Sequence, residues 1–199
     1  MSIATPRPAA SVIPLRRGGK HAERGLEVLL LKRSEQASFM PGVWVFPGGA
    51  VDTEDGEGEG GFRACALREL TEEASIELEG PDELVPFSHW ITPEIVPVRF
   101  DTWFYLALAP AHSAPEPDGF ETTEAAWWEP RLALEAHRDG ELELVFPTIK
   151  QLESLGDYST SDEALEAACG RPVEPILPKV IGEGEQRRVV LPGEPGYQG

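Results

Sequence analysis

Short apolar runs are spaced along the chain in a pattern that predicts β-strands. The most compact run, at residues 26–31, has strand length and indicates a strand buried on both faces of a sheet. Further runs of strand length lie at residues 10–15, 43–46, 84–91, 99–109 and 124–128. Between the runs, proline and glycine predict frequent turns and loops.

Helix-like patterns fill several of the intervals between these strands. They predict helices over residues 62–74, 130–138 and 147–155, and one more that begins at Ser161. Pro130 and Pro147 stand at the start of their helices, where proline is favoured. Strands and helices alternate irregularly, with strands in adjacent groups, so we expect an α+β fold: a mixed β-sheet sandwiched between helices, α/β/α.

The composition changes towards the C-terminus and suggests a division of the chain. Residues 1–138, with a core from about residue 8, are predicted to form the main domain. Residues 139–199 are predicted to form a helical and irregular extension packed on that domain, and the chain is rich in proline and glycine from Arg171 onwards.

The chain is strongly acidic, with a net charge of −18 and a pI of about 4.5 over 199 residues. Such a charge disfavours nucleic acid and anionic membranes as partners, and no apolar run is long enough to cross a membrane. We expect a cytoplasmic protein whose two cysteines are reduced. A phosphate-bearing substrate would need local arginine or lysine, or bound cations, to approach it.

The predicted helix at residues 62–74 carries the chemistry. Glu69, Glu72 and Glu73 share one of its faces, because residues three and four apart are neighbours on a helix. The opposite face is apolar and should pack on the sheet; it holds Leu67, Leu70 and Ala74.

Clustered carboxylates have two interpretations. They are ligands that Mg²⁺ prefers, and a cation relieves their mutual repulsion. The alternative is a solvated helix face, on which such residues are common. Here a strand and the Pro47–Gly48–Gly49 turn come directly before the helix, and this combination favours a metal and phosphate site.

The string RELTEEASI, from Arg68 to Ile76, resembles the second half of the Nudix hydrolase signature. Ser75 stands where that family has a glycine, so a positive φ angle there would be strained. The first half departs further, since residues 52–61 look like an acidic insertion in a loop. The outlying glutamate of the signature falls on Asp55 when counted from Gly49, and on Glu54 when counted from Gly48.

One branch of the family fits better than the average member. The strings LLLKRSEQASFMPGVWVFPGGAVD and HWITPEIVPVRFDTWFYLA look like the acyl-CoA and CoA diphosphatase branch. The PGEPGY segment near the C-terminus is also similar to that branch, whereas Leu31 departs from its broader CoA motif.

The resemblance implies a set of roles. Glu69, Glu72 and Glu73 would bind Mg²⁺ or Mn²⁺, with the Gly48 carbonyl as a further ligand, and water would attack a phosphorus of the diphosphate. Glu72, Glu73 and Arg68 would be the catalytic residues, with Arg68 orienting the carboxylates. Candidates for an extra base or ligand are Glu54, Glu121 and Glu124, and candidates for substrate binding are Arg33, Arg99 and Phe46.

The substrate stays open at this point. The favoured function is hydrolysis of a diphosphate linkage in a nucleoside diphosphate joined to another group, with CoA or acyl-CoA as the first substrate. The alternatives are ADP-ribose, NADH or an oxidised nucleotide as substrate, or a non-catalytic Nudix domain that senses a nucleotide. A homodimer is compatible with the extension at residues 139–199.

Aromatic residues outside the helix give weaker signals. Trp127 and Trp128 alternate across a predicted strand, so only one of them is expected to face the core. Phe39 and Met40 are candidates for an apolar lid, with anchoring of their loop as the alternative.

Overall fold

The computed structural model describes residues 3–18, 25–37, 40–111, 113–182, 184 and 187–197. Its strands are β1 (Arg7–Arg16), β2 (Glu27–Arg33), β3 (Trp44–Val45), β4 (Gly48–Ala50), β5 (Val85–Ile91), β6 (Phe100–Leu108), β7 (Thr122–Trp128), β8 (Pro175–Ile176), β9 (Lys179–Ile181) and β10 (Arg188–Val190). Its helices are α1 (Gly58–Ala74), α2 (Pro130–Arg138), α3 (Phe146–Leu155) and α4 (Ser161–Ala168). Short 3₁₀ turns lie at Thr53–Asp55 and Pro81–Glu83.

The main sheet is mixed, as the sequence predicted. Its strands follow the order β3-β2-β1-β6-β5-β8, with β4 also paired to β1 and β7 also paired to β2. Strand β1 runs parallel to β6 over a long register, from Arg7 opposite Phe100 to Leu15 opposite Leu108. Most other pairs are antiparallel, and β9 and β10 form a separate two-stranded sheet.

Strand β2 is buried on both faces, which confirms the reading of its compact apolar run. Val28 and Leu30 point into a core closed by α2, α3 and α4. Leu29 and Leu31 point into a second core closed by α1. Helices therefore cover both faces of the sheet, and the predicted α/β/α arrangement is confirmed.

Two covered faces also explain an error in the sequence analysis. Trp128 packs against the core under α2, α3 and α4, and Trp127 packs against the core under α1. The prediction that only one of these residues faces the core was wrong, because it assumed a sheet with one solvated face.

The C-terminal extension adds to the main core. Leu152 and Leu155 from α3 and Ala164 from α4 are fully buried in the same cluster as Phe87 of β5. Strand β8 joins the sheet beside β5. Among the described residues, no helix is long and apolar enough to cross a membrane.

Helix α1 begins earlier than predicted. The glycine-rich run at residues 52–61 was expected to be a loop, but it forms a 3₁₀ turn and the first turn of α1. Gly61 allows this fold-back, since a Cβ there would lie 2.5 Å from the carbonyl oxygen of Gly56. Gly56 itself has φ +91°, a conformation that favours glycine.

Candidate active site

Helix α1 lies across β1 and β4 with its apolar face inward. Leu70 and Ala74 are buried against the sheet and Leu67 packs beside them, as predicted. The glutamates differ in depth: Glu73 is buried, with only 3% of its surface exposed, whereas Glu72 is exposed and Glu69 is half-buried. The carboxylate face is therefore not an ordinary solvated surface.

Two glycines of β4 bring the strand close to this face. The Gly48 backbone N–H donates a hydrogen bond of 2.9 Å to Oε2 of Glu73. A Cβ on Gly49 would lie 2.2 Å from Oε1 of Glu69, so any larger residue would displace that carboxylate. A Cβ on Gly48 would instead lie 2.5 Å from the Ala10 carbonyl oxygen, which is rigid backbone.

Arg68 bonds to acidic side chains on α1 and in the turn before α1. Its Nη1 donates to Glu69 Oε1 at 2.8 Å and to Glu72 Oε2 at 3.1 Å. Its Nε and Nη2 form a two-bond fork to the Asp55 carboxylate at 3.1 and 2.9 Å. A planar guanidinium suits such two-bond pairing, so Arg68 holds the Asp55 carboxylate in one orientation while it also bonds to Glu69 and Glu72.

The acidic insertion thus supplies a buried partner for Arg68. The Asp55 side chain is 5% exposed and also accepts a 2.9 Å hydrogen bond from the Asp52 backbone N–H. The hydrogen bonds from Arg68 outweigh burial and lower the pKa of Asp55 below its usual value. Of the two residues that the count left open, Asp55 is the one that joins the site, whereas Glu54 is exposed in the 3₁₀ turn.

The ionised forms of the two less exposed glutamates, Glu69 and Glu73, are destabilised by burial. Burial raises the pKa of Glu73 to about 8, although the Gly48 N–H opposes this and Glu69 adds to it. Burial also raises the pKa of Glu69, against the effect of Arg68. Both shifts mean that the ionised pair lacks compensating positive charge.

The side-chain oxygen atoms of the three glutamates are of the chemical type that binds a divalent cation. The glutamates offer hard carboxylate oxygens, which Mg²⁺ and Mn²⁺ prefer, and a cation would relieve the charge on Glu69 and Glu73. In the part of the chain that the structure describes, no three acidic, histidine or cysteine side chains already converge on one point. Arg68 bonds to Glu69 and Glu72, but its single charge is shared with Asp55 and does not neutralise all three carboxylates.

A loop at residues 118–122 closes the side of the site near the end of α1. The Thr122 hydroxyl, fully buried, lies 3.2 Å from the backbone carbonyl oxygen of Glu73 and 3.1 Å from the Asp118 carboxylate. Among smaller contributions to the pKa of Glu73, Arg33 lowers it and Glu121 raises it, so both residues act on the site. The roles of Arg33 and Glu121 in substrate binding or catalysis stay predictions.

Other candidates have different surroundings. Glu124 pairs with Lys32 at 2.9 Å instead of with the glutamates of α1. Phe46 is buried in the core under α2, α3 and α4, so it has no surface for a substrate. Arg99 is also buried, and its guanidinium donates to the carbonyl oxygens of Thr92 and Ala4 at 2.9 and 2.7 Å. These contacts give Phe46 and Arg99 structural roles and correct the expectation that they bind substrate.

The two lid candidates of the sequence analysis are Phe39 and Met40, and their role as a lid stays a prediction. Met40 is partly exposed with φ +48°, and Phe39 lies outside the described residues. Sequence reasoning missed Asp118 and Thr122. The string DGFET does contain a signal for Asp118, since an aspartate followed by glycine often accepts from the next backbone N–H groups. Nothing in the sequence indicates the contact of Thr122 with α1.

The family model for the NUDIX domain matches residues 5–146, which include α1 and all strands from β1 to β7. The chain belongs to the Nudix hydrolase family. The match ends before most of α3, so the remainder of the C-terminal extension lies beyond the family model.

Similar proteins support this assignment. A Caenorhabditis elegans protein named "Putative nudix hydrolase 7" is 32% identical over 193 residues, which cover 78% of this chain and 65% of that protein. The chain thus spans a little under two thirds of the length of this relative. The crystal structure of a NUDIX hydrolase from Alicyclobacillus acidocaldarius is 28% identical with a TM-score of 0.74, over 86% of this chain and 100% of that one.

A more distant structure shares the fold alone. The NUDIX domain of Shewanella oneidensis NrtR, complexed with ADP ribose, is 19% identical with a TM-score of 0.57. The alignment covers 75% of this chain and 86% of that one.

Proposed function

We propose that this Nudix protein is a metal-dependent hydrolase that cleaves a diphosphate linkage in a nucleoside diphosphate joined to another group. The observation that carries the proposal is the arrangement of Arg68, Glu69 and Glu73 against the Gly48–Gly49 strand. Two partly or fully buried carboxylates with raised pKa values are costly for the fold. Such a cost is typical of a functional site.

The residues of the chain have distinct tasks in this reaction. Glu69, Glu72 and Glu73 would hold Mg²⁺ or Mn²⁺, which when bound polarises phosphate oxygens and makes water a better nucleophile. Arg68 keeps Glu69 and Glu72 aimed from one side of the helix. The Gly48 N–H fixes one oxygen of Glu73, so the other oxygen is the one available to a ligand.

CoA or acyl-CoA is the favoured substrate class within this proposal. The support is the resemblance of the strings around the Pro47–Gly49 turn and of the HWITPEIVPVRFDTWFYLA segment to the acyl-CoA diphosphatase branch. ADP-ribose, NADH and oxidised nucleotides are the competing substrates, because contacts that select a substrate come from loops outside the signature.

The proposal is tested by measuring the release of phosphate-containing products from a panel of CoA, acetyl-CoA, ADP-ribose, NADH and GTP. Each compound is incubated with the protein and Mg²⁺ or Mn²⁺. We expect turnover of at least one diphosphate compound and its loss on removal of the cation with a chelator. Absence of turnover on the whole panel, with nucleotide binding retained, would replace the enzyme by a non-catalytic Nudix module.

The Glu73→Gln variant tests whether the buried carboxylate of Glu73 is needed for activity. The glutamine keeps an oxygen that can accept from the Gly48 N–H, but it removes a buried charge. We therefore expect activity to fall by at least about a hundredfold while the free energy of unfolding does not decrease. Glu77→Gln, which changes an exposed glutamate just beyond α1, is the control and should leave both quantities unchanged.

A further inference from the structure

Phe120 is the most exposed of the large apolar side chains in the described part of the chain, with 86% of its surface open to solvent. It lies in the loop at residues 118–122, between Gly119 and Glu121. A phenyl ring in water loses the benefit of burial, so an exposed ring beside a candidate active site calls for an explanation.

Hydrogen bonds within the loop at residues 118–122 fix the exposed position of Phe120. The Asp118 carboxylate accepts hydrogen bonds from the backbone N–H groups of Phe120, Glu121 and Thr122, at 3.0, 3.0 and 2.8 Å. The Gly119 N–H donates to the Thr122 carbonyl at 2.9 Å, and Gly119 has φ +77°. These bonds define one loop conformation, in which the ring of Phe120 points to solvent.

The same loop is fixed to the active site on two sides. The Thr122 hydroxyl reaches the Glu73 backbone carbonyl, and the Ser34 backbone N–H donates to the Glu121 carbonyl at 2.8 Å. Ser34 directly follows Arg33 at the end of β2. The loop that carries Phe120 is thus bonded on one side to the residue that follows Arg33 and on the other side to the backbone of Glu73.

The chemistry of the surroundings indicates what the ring would contact. Its chain neighbours are Gly119 and Glu121, and no apolar wall is formed by the residues of this loop, so an alkyl chain would be covered on one side only. A planar heteroaromatic ring needs only one face for stacking. The phosphates of the same molecule would be directed away from the carboxylates of Glu121 and Asp118, towards Arg33 and the cation-binding glutamates.

We propose that Phe120 is the stacking surface for the nucleobase of the substrate, and hence a residue that determines specificity. This inference rests on the proposed function, because it assumes a nucleoside diphosphate at the site. Stacking tolerates different bases, since every base offers a π-face. Phe120 should therefore select nucleotides over non-nucleotide diphosphates without strong preference among bases.

The experiment compares Phe120→Ala, Phe120→Leu and Phe120→Trp in the full chain. Calorimetric titration with ADP and GDP in Mg²⁺ buffer measures binding, and kinetics on the best panel substrate give KM and kcat separately. Loss of one base stack corresponds to about a tenfold weaker Kd and a tenfold higher KM. We expect this for Phe120→Ala and Phe120→Leu, unchanged kcat, and recovery in Phe120→Trp.

The control is Leu132→Ala, which removes another exposed apolar side chain, 46% exposed, on α2. It should change neither Kd nor KM. The inference is overturned if Phe120→Ala behaves as wild type, if Phe120→Leu recovers as fully as Phe120→Trp, or if Phe120→Ala changes the oligomeric state instead of KM. Because ADP and GDP binding needs no turnover, a protein that binds them through Phe120 but hydrolyses nothing would contradict the proposed function alone.

Discussion

Helix α1 is held by two kinds of contact. The first kind is between charged side chains: the Arg68 guanidinium, in the second half of the helix, binds the buried Asp55 carboxylate of the turn before the helix and the glutamates of the site. The second kind lies at the C-terminal end of the helix and goes to the backbone. The Thr122 hydroxyl reaches the Glu73 carbonyl, and the Glu116 N–H donates to the Ala74 carbonyl at 3.2 Å.

This difference separates two requirements of one helix. The charged contacts set the direction of the Glu69 and Glu72 carboxylates, so their loss should affect chemistry and stability together. The backbone contacts secure the last turn of the helix, so their loss should affect chiefly stability. Substitutions in each set of contacts can therefore test this difference.

Arg68→Ala should have the largest effect. It leaves the Asp55 carboxylate buried without its cation, and breaking a buried pair in this way costs about 3 kcal/mol. We expect the free energy of unfolding in urea to fall by that amount and turnover to be lost.

An exposed pair of similar geometry provides the control for Arg68. Arg17 also forms a two-bond fork, to Asp162, but in solvent. Arg17→Ala should change stability little. A double-mutant cycle of Arg68→Ala with Asp55→Ala then isolates the pair. Strict additivity of the two substitutions would show that the pairing of Arg68 with Asp55 does not stabilise the protein.

Thr122→Val should have the next largest effect. Valine keeps the shape of threonine but cannot bond to the Glu73 carbonyl or to Asp118, and a buried group left without its partner costs about 1.5 kcal/mol. Urea unfolding measures the loss. Thr123→Val, at the exposed neighbouring position, is the control, and equal stability of the two variants would contradict the role of the hydroxyl.

Ser75→Gly should raise stability by a smaller amount. Ser75 adopts the left-handed conformation, with φ +53°, where glycine is relaxed and other residues are strained. Relief of this strain corresponds to about 1 kcal/mol. Ser75→Ala keeps the strained backbone and lacks only the hydroxyl, so it should not be stabilised; a gain there as large as in Ser75→Gly would exclude strain as the cause.

The smallest effect is a dependence on pH. The pKa of Asp55 is lowered in the folded protein, chiefly by Arg68, so its contribution to stability is present above the unfolded pKa of about 3.9. That contribution is lost as pH falls through the folded pKa. The stability gap between wild type and Asp55→Asn should thus shrink below about pH 4. The gap between wild type and Ser75→Gly should stay constant over the same range.

The sequence predicted the parts of the structure that local patterns determine. Helix α2 has the predicted bounds. The spacing of residues along α1 correctly predicted that its carboxylates lie on a different face from Leu70 and Ala74. What it missed depends on contacts between distant segments. The turn before α1 places Asp55 against Arg68, Arg99 bonds to Ala4 from the start of the chain, and the burial of Phe46 depends on α2, α3 and α4.

The site shows the same division. Arg68 and the three glutamates lie within one helical stretch, and their spacing alone brought them together in the prediction. Thr122 reaches Glu73 only through the pairing of β7 with β2, a tertiary contact without a local signal. Asp55 was predicted only in part. The sequence offered both Asp55 and Glu54 for its place in the signature, and the fold of residues 52–61 was needed to choose between them.

The long parallel pairing of β1 with β6 has a consequence for folding. It joins residue 7 to residue 100 and residue 15 to residue 108, and parallel pairing of segments so far apart in the chain makes folding slow. During synthesis β1 is made long before β6, so one edge of β1 stays without its partner until residue 108 has been made. Strand β4 pairs with residues 9–11 of β1, the same residues that β6 pairs from the other side. The strand that carries Gly48 and Gly49 therefore becomes part of a completed sheet only after β6 has joined β1.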